Sequence, residues 1–171
     1  MLERFFPQIY IQSVQELPLD ELRRRGVRAL YFDIDNTLAP YDVAEPDPDC
    51  LAFLQKLRDE GFLIGLLSNN HEERIKVFNQ RIGAEMVWEA GKPGVKKLRE
   101  SMARLGVTPA QTALVGDQAF TDVYCGNRAG VLSILVAPLC DRDQWMTAIK
   151  RPLERPVLAY YFKKTGQKGH Y

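Results

Sequence analysis

The segment Val27–Leu38, V-R-A-L-Y-F-D-I-D-N-T-L, joins an apolar run to two carboxylates that stand two residues apart. We predict that the run from Val27 to Phe32 is a β-strand and that Asp33 and Asp35 emerge where it ends. Carboxylates at this spacing are close enough to share one magnesium ion and one phosphoryl group. A polar turn after a strand is the competing interpretation, because D-x-D-x-T alone is a moderately specific pattern.

Length and composition indicate one soluble globular domain, residues 1–171, of which 46% are hydrophobic. Cys50, Cys125 and Cys140 are odd in number and not closely paired, so we expect buried free thiols in a reducing compartment. The sequence has neither a secretory signal pattern nor a run of about 18 apolar residues. We therefore predict a cytoplasmic protein.

The apolar pattern predicts alternating strands and helices, which is typical of a parallel sheet. The strands are predicted at 27–32, 62–67, 85–88, 112–115 and 131–136, and the helices at 48–60, 72–82 and 95–105, with a further helix ending at Gly130. We expect a doubly wound, Rossmann-like α/β domain of about five parallel strands, with its active site at their carboxyl ends.

Polar residues follow three of these strands and should therefore lie along one edge of the sheet. Asp33, Ser68 and Asp117 each come directly after an apolar run. Ser68 and Asn69 could hold phosphate oxygens together with backbone N–H groups at a helix start. An ordinary helix cap would explain both residues as well.

Two further charged segments could complete a phosphate site. Lys92 lies in the short G-K-P-G loop, although a surface lysine is the usual explanation of such a residue. Asp117 and Asp122 form a second acidic pair that could complete a site for a hard metal ion. A capped helix start is the competing explanation of Asp117.

Four short motifs, DIDNT, LLSNN, GKPG and VGDQAFTD, occur in that order. Together they resemble the motifs of the haloacid dehalogenase (HAD) phosphatase superfamily, over a motif core of residues 27–136. The longer segments DIDNTL and GDQAFTDVYCGNRAG, with SNN and KP between them, resemble the YqeG family of subclass IIIA. That family is related to mitochondrial phosphatidylglycerophosphate phosphatase. The resemblance implies a HAD-like fold and a Mg²⁺-dependent phosphomonoester hydrolase.

The resemblance also implies roles for individual residues. Asp33 would be the nucleophile that forms an aspartyl-phosphate, and Asp35 would act first as general acid and then as general base. The metal would be bound by the side chains of Asp33 and Asp117 and by the backbone carbonyl of Asp35. The remaining motif residues are implied to bind phosphate (Ser68, Asn69, Lys92) or to support the site (Thr37, Asp122).

The spacing between motifs leaves no room for a sizeable cap domain, because each gap already has to hold a helix and a strand. The site should therefore be open. Openness favours a phosphate carried on something large, such as a lipid head group, a nucleic acid end or a protein. A small soluble phosphoester is compatible with this spacing if oligomerisation covers the site, and the sequence leaves the oligomeric state open.

The two ends of the chain carry aromatic and basic residues that could contact an anionic membrane. The C-terminal extension, residues 142–171, has seven lysines and arginines against two acidic residues, interleaved with Trp145 and Tyr160. The N-terminal segment 2–11 is aromatic and apolar. Packing onto the domain would also explain the aromatic residues at both ends, and a solvated helix with a fraying tail would explain the basic extension.

Three functions remain open on the sequence alone. The first is a phosphatidylglycerophosphate phosphatase, in the cytoplasm or peripheral at the inner membrane face. The second is a phosphatase for soluble phosphoesters or phosphoproteins, and the third is a non-catalytic interaction protein with a HAD fold. Nucleic acid is the least favoured partner.

Overall fold

The computed structural model describes residues 2–140, 145–167 and 169. Within these ranges the chain forms parallel strands, α-helices, short 3-10 helices and one π-helix, Ala119–Val123. The strands are β1 (Ile9–Ile11), β2 (Ala29–Phe32), β3 (Leu63–Leu67), β4 (Glu85–Val87), β5 (Thr112–Gly116) and β6 (Leu132–Val136). The helices are α1 (Leu19–Arg24), α2 (Pro48–Asp59), α3 (Glu72–Asn79), α4 (Lys96–Leu105), α5 (Tyr124–Ala129) and α6 (Trp145–Thr165).

The strands form one parallel sheet in the order β1-β6-β5-β2-β3-β4. From the inner strand β2 the chain proceeds outward to β3 and β4, and it then returns to β5 on the other side of β2. The direction of winding therefore reverses between β2 and β5, which is where open α/β sheets bind their ligands. The prediction of a doubly wound parallel sheet is confirmed.

The sheet has a sixth strand, β1, that the sequence pattern did not predict. Ile9 pairs with Ile134 and Ile11 with Val136, so β1 extends the sheet beyond β6. Three residues are too few to show a strand periodicity, and the pairing partner lies at the other end of the sequence. Part of the N-terminal apolar segment is thus an edge strand.

Helices cover both faces of the sheet because the side chains of the inner strands alternate between two apolar clusters. On one face Leu30 and Phe32 of β2 belong to the cluster that includes Leu54 and Leu57 of α2 and the buried residues of α3. On the other face Tyr31 packs with residues of α4 and α5. Both faces of β2 are buried, which is typical of an inner strand of a parallel sheet.

The connections after β2 and β3 are short. Residues 33–47 separate β2 from α2, and α3 is the helix between β3 and β4. Neither connection holds a sizeable cap domain, as the motif spacing predicted.

The N-terminal segment packs against helix α6. The Phe6 ring lies 5.4 Å from the Tyr161 ring, the Tyr10 and Phe162 rings are 4.9 Å apart, and Lys164 pairs with Glu3. For these aromatic side chains the structure supports packing onto the domain. Of the charged residues in the extension, Arg142, Asp143 and Lys168 lie outside the described residues.

Two remaining expectations concern thiols and membrane spans. All three cysteines are free, with Cys50 and Cys125 buried, whereas Cys140 is partly exposed rather than buried. Among the described residues, no helix combines the length and the apolar character needed to cross a membrane.

Candidate active site

Three motif residues emerge at the carboxyl edge of the sheet, each directly after a strand. Asp33 follows β2, Ser68 follows β3 and Asp117 follows β5. The backbone N–H of Asp33 donates to Val115 O at 2.9 Å, which continues the ladder between β2 and β5 by one residue. Because the inner strands are parallel and in register, their ends place these side chains at one edge, where the winding direction reverses.

Lys92 reaches this edge from the loop after β4 and is almost fully enclosed. Its ammonium nitrogen lies 2.6 Å from Asp33 Oδ1, 2.6 Å from Asp122 Oδ1 and 2.9 Å from the carbonyl oxygen of Leu67. The side chain is 3% exposed. An ammonium has three donors, and here each has an acceptor, so Lys92 is held as a buried cation between two carboxylates.

The side chain of Asn69 holds the loop that carries Lys92. Its amide accepts a hydrogen bond from Lys92 N at 2.8 Å and donates one to Lys92 O at 3.1 Å. The sequence predicted Asn69 as a phosphate-binding residue. In the structure its side chain is engaged with the Lys92 backbone, a support that no sequence pattern indicated.

Asp122 is fixed from several sides within the π-helix. One carboxylate oxygen accepts from Lys92 and the other from the backbone N–H of Gln118 at 3.1 Å. The carboxylate also lies against Gly116, where a Cβ atom, if present, would approach Asp122 Cγ to 2.3 Å. A π-helical turn is uncommon and often marks a functional site. Asp122 thus holds the Lys92 ammonium through the carboxylate oxygen opposite the one that contacts the Gln118 backbone.

Asp117 is fully buried next to Thr37. The Thr37 hydroxyl approaches Asp117 Oδ1 at 3.4 Å, and both residues are at most 1% exposed. Carboxylate oxygens of Asp33, Asp117 and Asp122 all lie within 4.8 Å of one another. Clustered carboxylate oxygens are the donors that hard divalent cations prefer, so the residues present fit such an ion.

The electrostatics of this cluster favour a bound cation. Burial raises the pKa of the Asp33 carboxyl well above its ordinary value of 3.8, Lys92 opposes that rise, and Asp122, Asp117 and Asp35 add to it. Burial also acts to lower the pKa of Lys92, but Asp122 and Asp33 together raise it above its ordinary value. Lys92 is therefore charged, and one buried ammonium faces three buried carboxyl groups. A divalent cation would complete the charge balance.

The Asp35 side chain does not join the three clustered carboxylates. Its Oδ1 accepts from Arg74 Nη2 at 3.1 Å and its Oδ2 from the side-chain amide of Asn70. The side chain is 17% exposed, so it lies at the mouth of the site. The Asp33 carboxylate is thus buried with Lys92, whereas the Asp35 carboxylate is held by α3 and its preceding loop.

Ser68 is buried next to these groups, and its hydroxyl accepts a hydrogen bond from Asn70 N at 3.1 Å. This contact is the local cap that competed with phosphate binding in the sequence. An accepting hydroxyl still carries a proton to donate, so the two roles are compatible.

Two basic or polar residues near the motifs have structural partners. Asn127 donates to the backbone carbonyls of Arg4 and Phe6, which ties the N-terminal segment to α5. Arg128 donates to the carbonyl of Pro93 at 2.8 Å. Neither contact is with the carboxylate cluster.

Comparisons with known proteins identify the family of this chain. A family model described as HAD-hydrolase-like matches residues 89–151. The chain is 30% identical to "Probable phosphatase YqeG" of Bacillus subtilis, over 99% of this chain and 97% of that protein. It is 28% identical to "Phosphatidylglycerophosphate phosphatase 1, chloroplastic/mitochondrial" of Arabidopsis thaliana, over 92% of this chain but 48% of the plant protein.

Among solved structures, a HAD phosphatase from Thermococcus onnurineus superposes with a TM-score of 0.56 and 16% identity. The superposition covers 74% of this chain and 98% of the archaeal chain. At that identity the likeness concerns the fold alone.

Proposed function

The chain belongs to the HAD-like phosphatase family, in the group of the Bacillus YqeG protein, and from this we propose that it hydrolyses phosphatidylglycerophosphate through an aspartyl-phosphate on Asp33. The observation that carries the proposal is the buried group of Asp33, Lys92 and Asp122 beside Asp117 at the carboxyl edge. A phosphatase needs a nucleophile, a cation beside it and an acid for the leaving group. Asp33, Lys92 and Asp35 can supply all three.

In the first half-reaction, Asp33 attacks phosphorus while the bond to the ester oxygen breaks. Asp35 gives its proton to the departing alkoxide. In the second, Asp35 takes a proton from water as the water oxygen attacks phosphorus, and the bond from phosphorus to Asp33 breaks. Inorganic phosphate and a free Asp33 carboxylate result.

Other motif residues bind the transferring phosphoryl group or hold the residues that do. Lys92 and the Ser68 hydroxyl stabilise the negative charge on the phosphoryl oxygens. Asn69 contributes its backbone N–H, because its side chain is engaged with Lys92. Asp122 orients Lys92, and Thr37 braces Asp117.

The family uses a divalent metal, and we propose Mg²⁺ held by the side chains of Asp33 and Asp117 and by the backbone carbonyl of Asp35. Bound there, the ion would shield the nucleophile from the repulsion of an anionic phosphate. Asp122 is assigned to holding Lys92 instead, because its two carboxylate oxygens accept hydrogen bonds from Lys92 and Gln118.

The lipid assignment draws on two features. Two relatives are named phosphatidylglycerophosphate phosphatases, and neither of the connections after β2 and β3 holds a sizeable cap that would exclude a head group at a bilayer surface. We therefore propose a cytoplasmic enzyme, one domain over residues 1–171, that meets anionic membrane from the cytoplasmic side. The exposed side chains of Leu153 and Tyr160 on α6, at 60% and 48%, are available for that contact.

The deciding experiment is phosphate release from phosphatidylglycerophosphate in mixed micelles, measured with Mg²⁺ and with EDTA beside a panel of soluble phosphoesters. We expect Mg²⁺-dependent release that is faster from the lipid by at least about tenfold in kcat/KM. Release from soluble esters alone would discard the lipid substrate and keep the mechanism. Absence of release from every ester would favour the non-catalytic alternative.

We expect Gly116→Ala to lower phosphate release by about 10²-fold, because its methyl group would displace the Asp122 carboxylate and misplace Lys92. Gly126→Ala is the matched control, since its Cβ would meet Ser133 Cβ at 3.1 Å, outside the carboxylate group. That control should keep most of its activity. Equal activity losses in the two variants would argue against Asp122 as the positioning residue for Lys92.

A further inference from the structure

Both oxygens of the Asp35 carboxylate are held by residues that come from the next βα unit. Arg74 Nη2 donates to Oδ1 at 3.1 Å, and the Asn70 side chain donates to Oδ2. The ion pair is largely enclosed, with side-chain exposures of 19% for Arg74 and 17% for Asp35. Exposed ion pairs rarely hold one side-chain geometry, whereas an enclosed pair such as Arg74–Asp35 can.

The guanidinium of Arg74 is itself fixed by two further contacts. Its Nη1 donates to the carbonyl oxygen of Ala44 at 2.9 Å, and its Cζ lies 5.5 Å from the centroid of the buried Phe78 ring. Arg74 and Phe78 are both on α3, four residues apart, so the ring supports the guanidinium from the same helix. The Arg74 guanidinium thus connects α3 to the segment before α2 and to the Asp35 carboxylate.

These contacts bear on the chemistry of Asp35. A general acid contributes only if its carboxyl group is within hydrogen-bond reach of the leaving oxygen. The backbone at Asp35 lies outside the named strands and helices and forms an isolated bridge with Ala39, a contact that holds the backbone but not the carboxylate. Its direction is set by the two donors from the neighbouring unit.

We propose that Arg74 is a positioning residue for the reaction, which acts by fixing the Asp35 carboxylate at the mouth of the site, where the leaving group departs. The inference rests on the proposed function, in which Asp35 is the acid and base. Lysine cannot replace this arginine fully, because a single ammonium cannot reproduce the planar fork that spans Asp35 and the Ala44 carbonyl.

The test uses two leaving groups of different basicity. An alkyl ester such as glycerol phosphate needs a proton on its departing oxygen, whereas p-nitrophenolate departs without one. For Arg74→Met we expect kcat for glycerol phosphate to fall about 10²-fold, with KM changed by less than about threefold. The pre-steady-state burst of p-nitrophenolate from p-nitrophenyl phosphate should remain, followed by slow turnover because the second half-reaction also needs Asp35.

Arg74→Lys and Arg81→Met are measured alongside. The lysine variant should regain part of the lost activity, since it keeps a donor for Asp35. Arg81 is exposed and follows α3, so its replacement should change neither ester reaction. If Arg74→Met slowed the burst and the alkyl ester equally, or if Arg74→Lys had full activity, the positioning role would be wrong.

Asp35→Asn separates failure of this inference from failure of the proposed function. If Asp35→Asn hydrolysed glycerol phosphate at the wild-type rate, the acid role of Asp35 would fail and the proposed mechanism with it. If Asp35→Asn were inactive while Arg74→Met kept the wild-type rate, only the role of Arg74 would be lost. Thermal melts of each variant show whether an activity loss follows unfolding.

Discussion

Asp33→Asn should abolish turnover, with phosphate release reduced on the order of 10⁴-fold or more, because an amide cannot form the phosphoryl intermediate. The substitution preserves shape and keeps an oxygen that can accept the hydrogen bond from Lys92, which lies 2.6 Å from Asp33 Oδ1 in the wild type. We therefore expect the fold to persist. Phosphate release is compared at equal protein concentration, with Asp59→Asn on the exposed end of α2 as the control.

Stability gives this prediction a second readout. Burial, together with Asp122, Asp117 and Asp35, raises the pKa of Asp33 in the folded protein above the ordinary 3.8, although Lys92 opposes the rise. As the pH increases above 3.8, the Asp33 carboxyl loses its proton in the unfolded protein but keeps it in the folded protein until the raised pKa is reached. The contribution of Asp33 to the stability of the folded state therefore falls over this pH range. In EDTA at neutral pH, Asp33→Asn should melt at the same temperature as the wild type or higher.

With a divalent metal present, the wild type should melt at a higher temperature than Asp33→Asn. We expect Mg²⁺ to raise the melting temperature of the wild type more than that of Asp33→Asn, which lacks one charged ligand. An Asp33→Asn protein that retained wild-type activity would exclude Asp33 as the nucleophile. Identical metal-induced shifts in both proteins would remove it from the metal site.

Lys92→Met should lower both the activity and the stability of the protein strongly. Its ammonium is the hydrogen-bond partner of Asp33, Asp122 and the Leu67 carbonyl, and the side chain is 3% exposed. Removal leaves two buried carboxylates without their cation, a change that costs about 3–5 kcal/mol in comparable buried pairs. We expect phosphate release to fall on the order of 10³-fold, because the phosphoryl oxygens lose their main positive partner.

Chemical denaturation and steady-state kinetics measure the two effects separately. Lys56→Met, at an exposed position on α2, is the matched control and should leave both unchanged within error. If Lys92→Met unfolds, Lys92→Arg keeps the charge and tests activity in a folded protein. Wild-type kinetics in a folded Lys92→Met protein would show that Lys92 does not contact the transferring phosphoryl group.

The sequence predicted the fold well because its signals are local. The apolar run before Asp33, the Asp47 side chain that caps α2, and glycines with positive φ after α4 and α5 all act within a few residues of the element they define. The short edge strand β1 was missed for the opposite reason. Its three residues become a strand only through pairing with β6.

The candidate site also combines features that local sequence signals predict with features that depend on contacts between distant residues. Which residues follow each inner strand could be predicted from the chain, and so could their meeting at one edge, because parallel strands end on the same side. The pairing of Asp35 with Arg74, 39 residues away, and of Asn69 with Lys92, 23 residues away, could not. Such contacts depend on how two separate loops pack, which no local pattern encodes.

The sequence by itself therefore determined five of the six described strands, their common carboxyl edge and the residues that follow them, since backbone propensity and apolar periodicity act over short distances. Tertiary structure alone decided which carboxylate is buried with Lys92, which one is held at the mouth by Arg74, and that the aromatic ends pack on each other. Burial and hydrogen-bond geometry are properties of packed neighbours, and these neighbours come from distant parts of the chain.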